Sequence, residues 1–276
     1  MRLFLRKKLI RLIKFIPYKL RRKLAYFLSD SIKCNDGQLR GDAMFNFSIL
    51  TGLDYKSQFL NLYGESLVEA GDQNSDNIYK ILRHLNLYSY IENIIDNNIE
   101  GDFAECGCFN GNSLFATRKL LDSRGSSKSI HVFDSFEGGL SEFQEEDLNG
   151  SSIQSLAEAE KVKNQFSSSF KVVSEKIKNY DNIFLNKGWI PEVFKSQEDR
   201  KYSFVHIDVD LYQPTLDSYK YFFERLNLGG IIVCDDYGYN QFPGATRAVD
   251  EFISSLNKES YSYFIKHSFG TSVIIK

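Results

Sequence analysis

Two pairs of carboxylates, each at the end of an apolar run, are the residues of this sequence best placed to do chemistry. In FVHIDVDLY, residues 204–212, an apolar run ends in Asp208 and Asp210. Twenty-seven residues after Asp208, the run IIVC leads into Asp235 and Asp236. Acids at the end of a buried strand require a cation or hydrogen-bond donors. The spacing is one crossover helix long, so the two strand ends can be neighbours in a parallel sheet.

Carboxylates that converge without a partner repel and raise one another's pKa values. A hard, oxygen-seeking divalent cation resolves this conflict, and Mg²⁺ is the one we expect. Salt bridges and helix caps are the alternative. Because alternate strand residues face opposite sides, Asp235 and Asp236 can converge only if the strand has already turned, and Tyr237-Gly238 would allow that. His206 is expected to pack in the core rather than to bind metal.

A glycine-rich segment, AECGCFNGNS, follows another short apolar run and predicts a strand-to-helix turn that approaches a ligand closely. It contains Glu105, Gly107, Gly111 and Ser113. The acid before the first glycine favours a ligand with positive charge and amino or hydroxyl groups over a phosphate. S-adenosylmethionine (SAM), with its sulfonium and ammonium groups, is such a ligand. An ordinary turn between a strand and a helix is the alternative.

The next apolar run ends in HVFDSFEGG, which places Asp134 twenty-three residues after Gly111. An acid at this distance from the glycine turn is where nucleotide-binding folds hold a ribose diol. We therefore assign Asp134, with the adjacent Ser135, to the cofactor site. An exposed loop aspartate is the alternative.

The elements that must position these residues alternate between short apolar strands and amphipathic helices. This alternation predicts a parallel, doubly wound α/β sheet with helices on both faces, and two further strands at the C-terminus suit an antiparallel addition at one edge. Strands are predicted at 103–106, 130–133, 183–185, 204–207, 231–234, 261–266 and 271–276. Helices are predicted near 77–98, 112–122, 168–180, 191–198, 214–226 and 245–256.

The charge distribution separates the N-terminus from the rest of the chain. The first 23 residues carry ten of the 34 Lys and Arg residues and no acid, which leaves 24 basic against 36 acidic residues, a net charge of −12. A body this acidic is not expected to bind nucleic acid. Leucine and isoleucine recur at helical spacing along the basic stretch, so residues 1–28 are interpreted as a helix that contacts an anionic membrane surface. A helix packed on protein is the alternative.

We divide the chain into a basic amphipathic extension, 1–33, a substrate-side segment of uncertain structure, 34–76, and a catalytic domain, 77–276.

The four cysteines form no zinc-type pair and no dense disulfide framework, so they are interpreted as buried free thiols in a reducing cytoplasm. The sequence has no apolar run near the roughly 20 residues of a membrane span and no signal-peptide cleavage site. The protein is expected in the cytoplasm, with peripheral membrane contact through its basic helix.

Six segments together resemble the macrocin O-methyltransferase family in type and order: GDFAECGCFNGNS, VFDSFEGG, NKGWIPEVF, HIDVDLYQPTLDS, LGGIIVCDDYG and PGATRAVDEF. The resemblance covers about residues 77–276. It implies the class I SAM-dependent methyltransferase fold, with seven mostly parallel strands, and a Mg²⁺-dependent transfer of methyl groups to sugar hydroxyls. It assigns Asp208, Asp235 and Asp236 to the metal, Asp208 also to the catalytic base, and suggests a homo-oligomer.

Two positions depart from the family pattern. The glycine turn reads GCFNGN, with Asn112 in place of the second glycine of a pair, and the D-G-D form of antibiotic enzymes is DVD here. The expected function is therefore methylation of a sugar-containing acceptor whose sugar and carrier stay open. The alternatives are a metal-dependent glycosyltransferase that uses Asp208 and Asp210, and a membrane-docked scaffold that has kept the fold.

Overall fold

The computed structural model describes residues 54–72, 77–153, 155–197, 199–267 and 269–276. The predictions for residues 1–33, for 34–53 and for Cys34 lie outside these ranges. The chain divides into two units, 1–61 and 62–276, and apart from the start of the first helix everything below concerns the second. In the ranges described, no helix has both the length and the apolar character needed to cross a membrane.

The described strands form one seven-stranded sheet in the order β3-β2-β1-β4-β5-β7-β6. Strands β1 to β5 pair in parallel, and β7 runs antiparallel to both β5 and β6. The strands are β1 Asp102–Cys106, β2 Ile130–Asp134, β3 Ile183–Lys187, β4 Tyr202–Ile207, β5 Leu226–Asp235, β6 Tyr263–His267 and β7 Thr271–Ile275. All seven predicted strands are present, and the predicted mixed sheet with an antiparallel C-terminal strand is confirmed.

Helices connect the parallel strands. Within the described residues, the α-helices are α1 Asp54–Ala70, α2 Ile78–Asp96, α3 Asn112–Ser123, α4 Glu145–Leu148, α5 Leu156–Gln165, α6 Phe170–Ile177, α7 Tyr212–Arg225 and α8 Pro243–Ser255. Two short 3₁₀ helices cover Glu192–Gln197 and Lys258–Ser260. The segment predicted as a helix near 191–198 is therefore a 3₁₀ helix, and α1, α4 and α5 were not predicted.

Both faces of the central strands β1, β4 and β5 are buried. One face contributes alternate residues of β1, β4 and β5 to a cluster with α7 and α8, including Cys106, Ile207 and Cys234. The intervening Phe103 and Phe204 are also buried, so the opposite face is covered too. The cysteines Cys106, Cys108 and Cys234 are buried and free, as predicted.

The register of the central strands fixes where their carboxyl ends meet. Ile207 of β4 pairs with Cys106 of β1 on one side and with Cys234 of β5 on the other. The next residue along each strand is therefore level with its neighbours. This brings Gly107, Asp208 and Asp235 to one point at the edge of the sheet.

Candidate active site

Five acidic or histidine side chains from β4, β5 and the turns after them meet at this edge. Ligand atoms of His206, Asp208 and Asp235 lie within 4.8 Å of one another, and so do those of Asp208, Asp210 and Asp236. Asp208 belongs to both groups. The structure therefore brings together the three predicted metal ligands, with Asp208 joining Asp235 on one side and Asp236 on the other.

Left-handed backbone conformations orient the side chains of two of these acids. Asp210 has φ 60° and Asp236 has φ 65°, a region that residues other than glycine adopt at a cost of about 1–3 kcal/mol. The turn that lets Asp236 join Asp235 begins at Asp236 itself, whose carbonyl accepts a 3.1 Å hydrogen bond from Tyr239 N. This hydrogen bond closes a turn with Tyr237 and Gly238 at its centre, which is where the sequence predicted it.

Burial and mutual repulsion make these carboxyl groups hard to ionise. Burial, with the Asp235 charge next in importance, raises the pKa of Asp208. Burial and then Asp208 raise the pKa of Asp210 to about 8. Burial, with Asp210 and Asp208 after it, raises the pKa of Asp236 well above its usual range. The carboxyl groups of the cluster therefore need nearby positive charge if they are all to be ionised.

Arg83 supplies part of that charge, and sequence reasoning missed it. Its Nη1 lies 3.5 Å from Asp235 Oδ2 and 3.5 Å from Asp236 Oδ1. Burial opposes ionisation of Asp235, but Arg83 and then His206 lower the pKa of that carboxyl. The helical spacing of Lys80, Arg83 and His84 on α2 was the available signal, because it places three basic side chains on one helix face.

His206 has a different role from the predicted core packing. Its Nδ1 lies 3.3 Å from Glu105 Oε1 and its Nε2 lies 3.5 Å from Asp235 Oδ2. Burial alone would lower the pKa of His206, but the two carboxylates raise it well above its usual value. The buried ring therefore lies between the glycine-turn acid and the acidic cluster, with one nitrogen toward each.

A cavity lies against this cluster, and the sequence-predicted cofactor residues Gly107, Ser113, Asp134 and Ser135 line it. Its wall also includes Arg83, His84, Trp189, His206, Asp208, Asp210 and Asp235. The predicted site residues Glu105, Gly111 and Asp236 are not part of this wall. Glu105 lies beneath it, fully buried, and accepts hydrogen bonds from Ser113 Oγ and the His206 ring.

Asp134 holds the glycine turn in place. Its Oδ2 accepts hydrogen bonds from Cys108 N at 2.9 Å and Phe109 N at 3.2 Å. Its Oδ1 accepts one from Phe136 N at 2.7 Å. Oδ1 also accepts a hydrogen bond from Ser168 Oγ at 3.4 Å, so each carboxylate oxygen already has two partners. A ribose hydroxyl can bind Asp134 only in place of one of them, and the long bond from Ser168 is the weakest.

Gly107 lies where the turn passes closest to β4. It has φ 78°, and a Cβ there would overlap the carbonyl oxygen of Asp208. We expect Gly107→Ala to lower the free energy of unfolding by about 3 kcal/mol or more, from the left-handed backbone and the overlap combined. Urea unfolding measures it. Gly125→Ala is the matched control: φ is 64° but no atom is near, so it should cost about 1 kcal/mol. Equal losses in the two variants would contradict the close approach.

A hydrogen-bond chain fixes His84 against the glycine turn. Ser66 Oγ donates to Asn112 Oδ1 at 2.8 Å, and Asn112 Nδ2 lies 3.1 Å from His84 Nε2. His84 Nδ1 lies 2.9 Å from the carbonyl oxygen of Lys80. The Asn112 amide must donate to Nε2, so the proton of a neutral His84 is on Nδ1. Asn112, the departure from the family glycine, thus joins α1 and α2 to the turn.

Burial lowers the pKa of His84 to about 3. The folded chain keeps this ring neutral, whereas the unfolded chain takes up a proton near pH 6.5, so stability falls as pH drops below about 6.5. Between pH 7.5 and 5.0, the wild type should lose about 2 kcal/mol more unfolding free energy than His84→Gln. Glutamine can still accept from Asn112. Urea unfolding at both pH values measures the difference, and equal losses would contradict it.

The donor set fits a hard divalent cation. Asp235 Oδ1 and Asp236 Oδ2 are buried and have no hydrogen-bond partner within the described part of the chain. Buried carboxylate oxygens without partners are costly unless something binds them. Oxygen donors of this kind are those that Mg²⁺ prefers, which supports the Mg²⁺ prediction on chemical grounds.

The family assignment follows from a match between residues 80–260 and the macrocin-O-methyltransferase (TylF) family model. The chain belongs to the macrocin-O-methyltransferase family. This confirms the predicted family and enzyme class, SAM-dependent O-methyltransferase, in preference to the glycosyltransferase alternative.

Two curated relatives are similar to this macrocin-O-methyltransferase family chain over much of its length. A demethyldecarbamoylnovobiocin O-methyltransferase from Streptomyces niveus is 26% identical over 184 residues, which are 65% of this chain and 68% of that protein. An 8-demethyl-8-(2,3-dimethoxy-alpha-L-rhamnosyl)-tetracenomycin-C 4'-O-methyltransferase from Streptomyces olivaceus is 24% identical over 157 residues. Those residues are 55% of this chain and 59% of that protein.

Two solved structures share the fold. The O-methyltransferase NovP superposes with a TM-score of 0.59 at 22% identity, covering 71% of this chain and 80% of that one. The calicheamicin methyltransferase CalS11 superposes with a TM-score of 0.56 at 14% identity, covering 81% and 93%. The predicted class I methyltransferase fold is thereby confirmed.

Proposed function

We propose that this chain transfers the methyl group of SAM to a hydroxyl of a sugar-containing acceptor, with Mg²⁺ held by Asp208, Asp235 and Asp236. The observation that carries the proposal is the acidic cluster at one wall of the cavity whose other wall is the glycine turn. The names of both curated relatives describe O-methyltransferases, and that of the Streptomyces olivaceus protein describes a substrate with a rhamnosyl group, which supports a sugar-containing acceptor.

The glycine turn and the end of β2 would hold SAM. Gly107 lets backbone approach the ligand, and Asp134 orders the turn through two backbone hydrogen bonds, from Cys108 N and Phe109 N. Asp134 and Ser135 face the cavity where the ribose hydroxyls of SAM would bind. Glu105 lies behind the cavity wall and orients Ser113 and His206 through hydrogen bonds.

The acceptor hydroxyl must lose its proton as it takes the methyl group. An alcohol ionises near ~15 and a free aspartate near ~4, so Asp208 alone faces a gap of about 11 pKa units, or roughly 15 kcal/mol. A bound Mg²⁺ supplies the Lewis acidity that narrows this gap. Asp208 belongs to both acidic groups and lines the cavity, which supports its assignment as the base that receives the proton.

Asp208 is better suited to this role than a surface carboxylate. It lies half-buried in the wall of the cavity, so its carboxylate can meet the acceptor hydroxyl with less competition from bulk water. The sulfonium of SAM becomes a neutral thioether when the methyl leaves, so the leaving group requires no acid. The chain therefore has to orient the acceptor, take one proton and exclude water.

Calorimetric titration of SAM and of its demethylated product, each with Mg²⁺ and with EDTA, tests the proposal. We expect micromolar binding of both ligands and, in a second assay, transfer of labelled methyl from SAM to a sugar acceptor only when Mg²⁺ is present. Binding of neither ligand in either buffer would overturn the cofactor assignment. Transfer at full rate in EDTA would overturn the role of the metal. The homo-oligomer, the cytoplasmic location, the absence of nucleic-acid binding and the membrane contact of residues 1–28 stay predictions.

A further inference from the structure

The guanidinium of Arg83 lies between two carboxylates that the proposed function assigns to a metal. We propose that Arg83 is a built-in counter-ion that competes with the divalent cation for Asp235 and Asp236, and thereby sets the metal affinity of the site. This inference rests on the proposed function in one respect: it takes the acidic cluster to be a divalent-cation site.

The contacts of Arg83 are those of a loosely held counter-ion. A single nitrogen, Nη1, lies 3.5 Å from Asp235 Oδ2 and 3.5 Å from Asp236 Oδ1. Charge-assisted hydrogen bonds between such groups are usually about 2.7–2.9 Å long. Arg83 therefore neutralises both carboxylates through space without the bidentate geometry that would fix it to either one.

The carboxylates are fixed and the guanidinium is the partner that can leave. The Asp235 and Asp236 side chains are 5% and 8% exposed, whereas the Arg83 side chain is 30% exposed. An arginine that leaves can keep its charge hydrated, because its stem is long and the side chain is already partly exposed. A carboxylate of the cluster has no such route.

The cluster also has binding capacity that Arg83 leaves unused. Asp235 Oδ1 and Asp236 Oδ2 are buried without a hydrogen-bond partner in the part of the chain that is described. Arg83 faces the other oxygen of each carboxylate. A cation that takes up these oxygens meets the positive charge of Arg83 nearby, so the two repel and compete.

Lys80 provides a matched control on the same helix. It lies one turn before Arg83 and also lines the cavity, but its Nζ pairs with Asp72 instead of the cluster. A change that merely removed a positive charge from this face of α2 would affect the two positions alike. If the guanidinium competes with the cation for the cluster, removing the charge should change the metal affinity far more at Arg83 than at Lys80.

The test is a calorimetric Mn²⁺ titration at pH 8 of the full chain and of Arg83→Met, Arg83→Lys and Lys80→Met. Arg83→Met should bind Mn²⁺ about tenfold or more tightly than the wild type, because a neighbouring like charge is gone. Arg83→Lys keeps a positive charge near the cluster, and Lys80→Met removes a charge that pairs with Asp72 instead. The Mn²⁺ dissociation constants of both variants should therefore stay within about threefold of the wild-type value. In EDTA, Arg83→Met should also melt at a lower temperature than the wild type, and Mn²⁺ should raise its Tm by more.

Unchanged or weaker Mn²⁺ binding by Arg83→Met, beside normal binding by the wild type, would overturn this inference and leave the proposed function standing. Should that variant not fold, Arg83→Gln decides by the same criterion. If neither the wild type nor any variant binds Mn²⁺ or Mg²⁺, the inference and the metal of the proposed function fall together, while SAM binding still tests the cofactor site.

Discussion

Replacing Asp208 by asparagine should lower the rate of methyl transfer by about 10³-fold while leaving the cofactor site intact. The amide cannot accept the hydroxyl proton, and it is a poorer metal ligand than a carboxylate. Turnover with labelled SAM at saturating Mg²⁺ measures the loss. The dissociation constant of the demethylated cofactor should change by less than about threefold, because Asp208 is not in the part of the cavity assigned to SAM.

Two further variants show whether the loss belongs to Asp208. Asp134→Asn should have the opposite profile, with weaker cofactor binding as its main effect, because it disturbs hydrogen bonds to Cys108 N and Phe109 N. Glu224→Gln changes an acid that is 80% exposed at the far end of α7 and should behave as the wild type. Near-normal turnover in Asp208→Asn would remove both the base and the ligand role of this residue.

Much of this site could be predicted from sequence because strand ends are easy to find. Apolar runs that stop at an acid predicted Asp134, Asp208 and Asp235 at one edge of a parallel sheet, and the register confirms that β1, β4 and β5 are neighbours. The convergence of Asp236 depended on a left-handed φ at an aspartate, which residue type alone does not determine.

The residues that sequence reasoning missed contact side chains that come from other helices and strands. Arg83 and His84 lie on a helix that was predicted, near 77–98, but no local motif tells which face of α2 meets the ends of β4 and β5. His206 was interpreted as core because it is a histidine inside an apolar strand. Its function depends on Glu105 from the neighbouring strand and on Asp235, which are 101 and 29 residues away in the sequence.

Helix α5 was missed for a different reason. Its apolar positions include the small Ala159, so the 3.6-residue pattern is weak, and polar residues surround it. The useful signal was at its start, where the Ser155 side chain accepts a hydrogen bond from Glu158 N. A serine three residues before a glutamate is a sequence mark of a helix N-terminus, and it predicts this helix where periodicity does not.

Asp236→Asn should weaken metal binding and lower methyl transfer by about 100-fold at 1 mM Mg²⁺, with much of the activity returning as Mg²⁺ is raised. Asparagine tolerates the left-handed backbone at this position, so the turn is kept. It removes the charge of a carboxylate whose buried Oδ2 has no partner among the described residues. Calorimetric Mn²⁺ titration and the Mg²⁺ dependence of turnover measure the two effects. Recovery at high Mg²⁺ separates this variant from Asp208→Asn, which lacks the base at every concentration.

Because the two acidic groups overlap, Asp210→Asn is the variant that decides which of the two groups binds the cation. Asp210 shares a group with Asp208 and Asp236, also with a left-handed φ, so distance alone does not separate it from the proposed ligands. The buried oxygens without partners belong instead to Asp235 and Asp236. We therefore expect Asp235→Asn to weaken Mn²⁺ binding as Asp236→Asn does, and Asp210→Asn to do so much less. A loss in Asp210→Asn equal to that in Asp236→Asn, with Asp235→Asn unaffected, would place the cation among Asp208, Asp210 and Asp236 and return Asp235 to its ion pairs with Arg83 and His206.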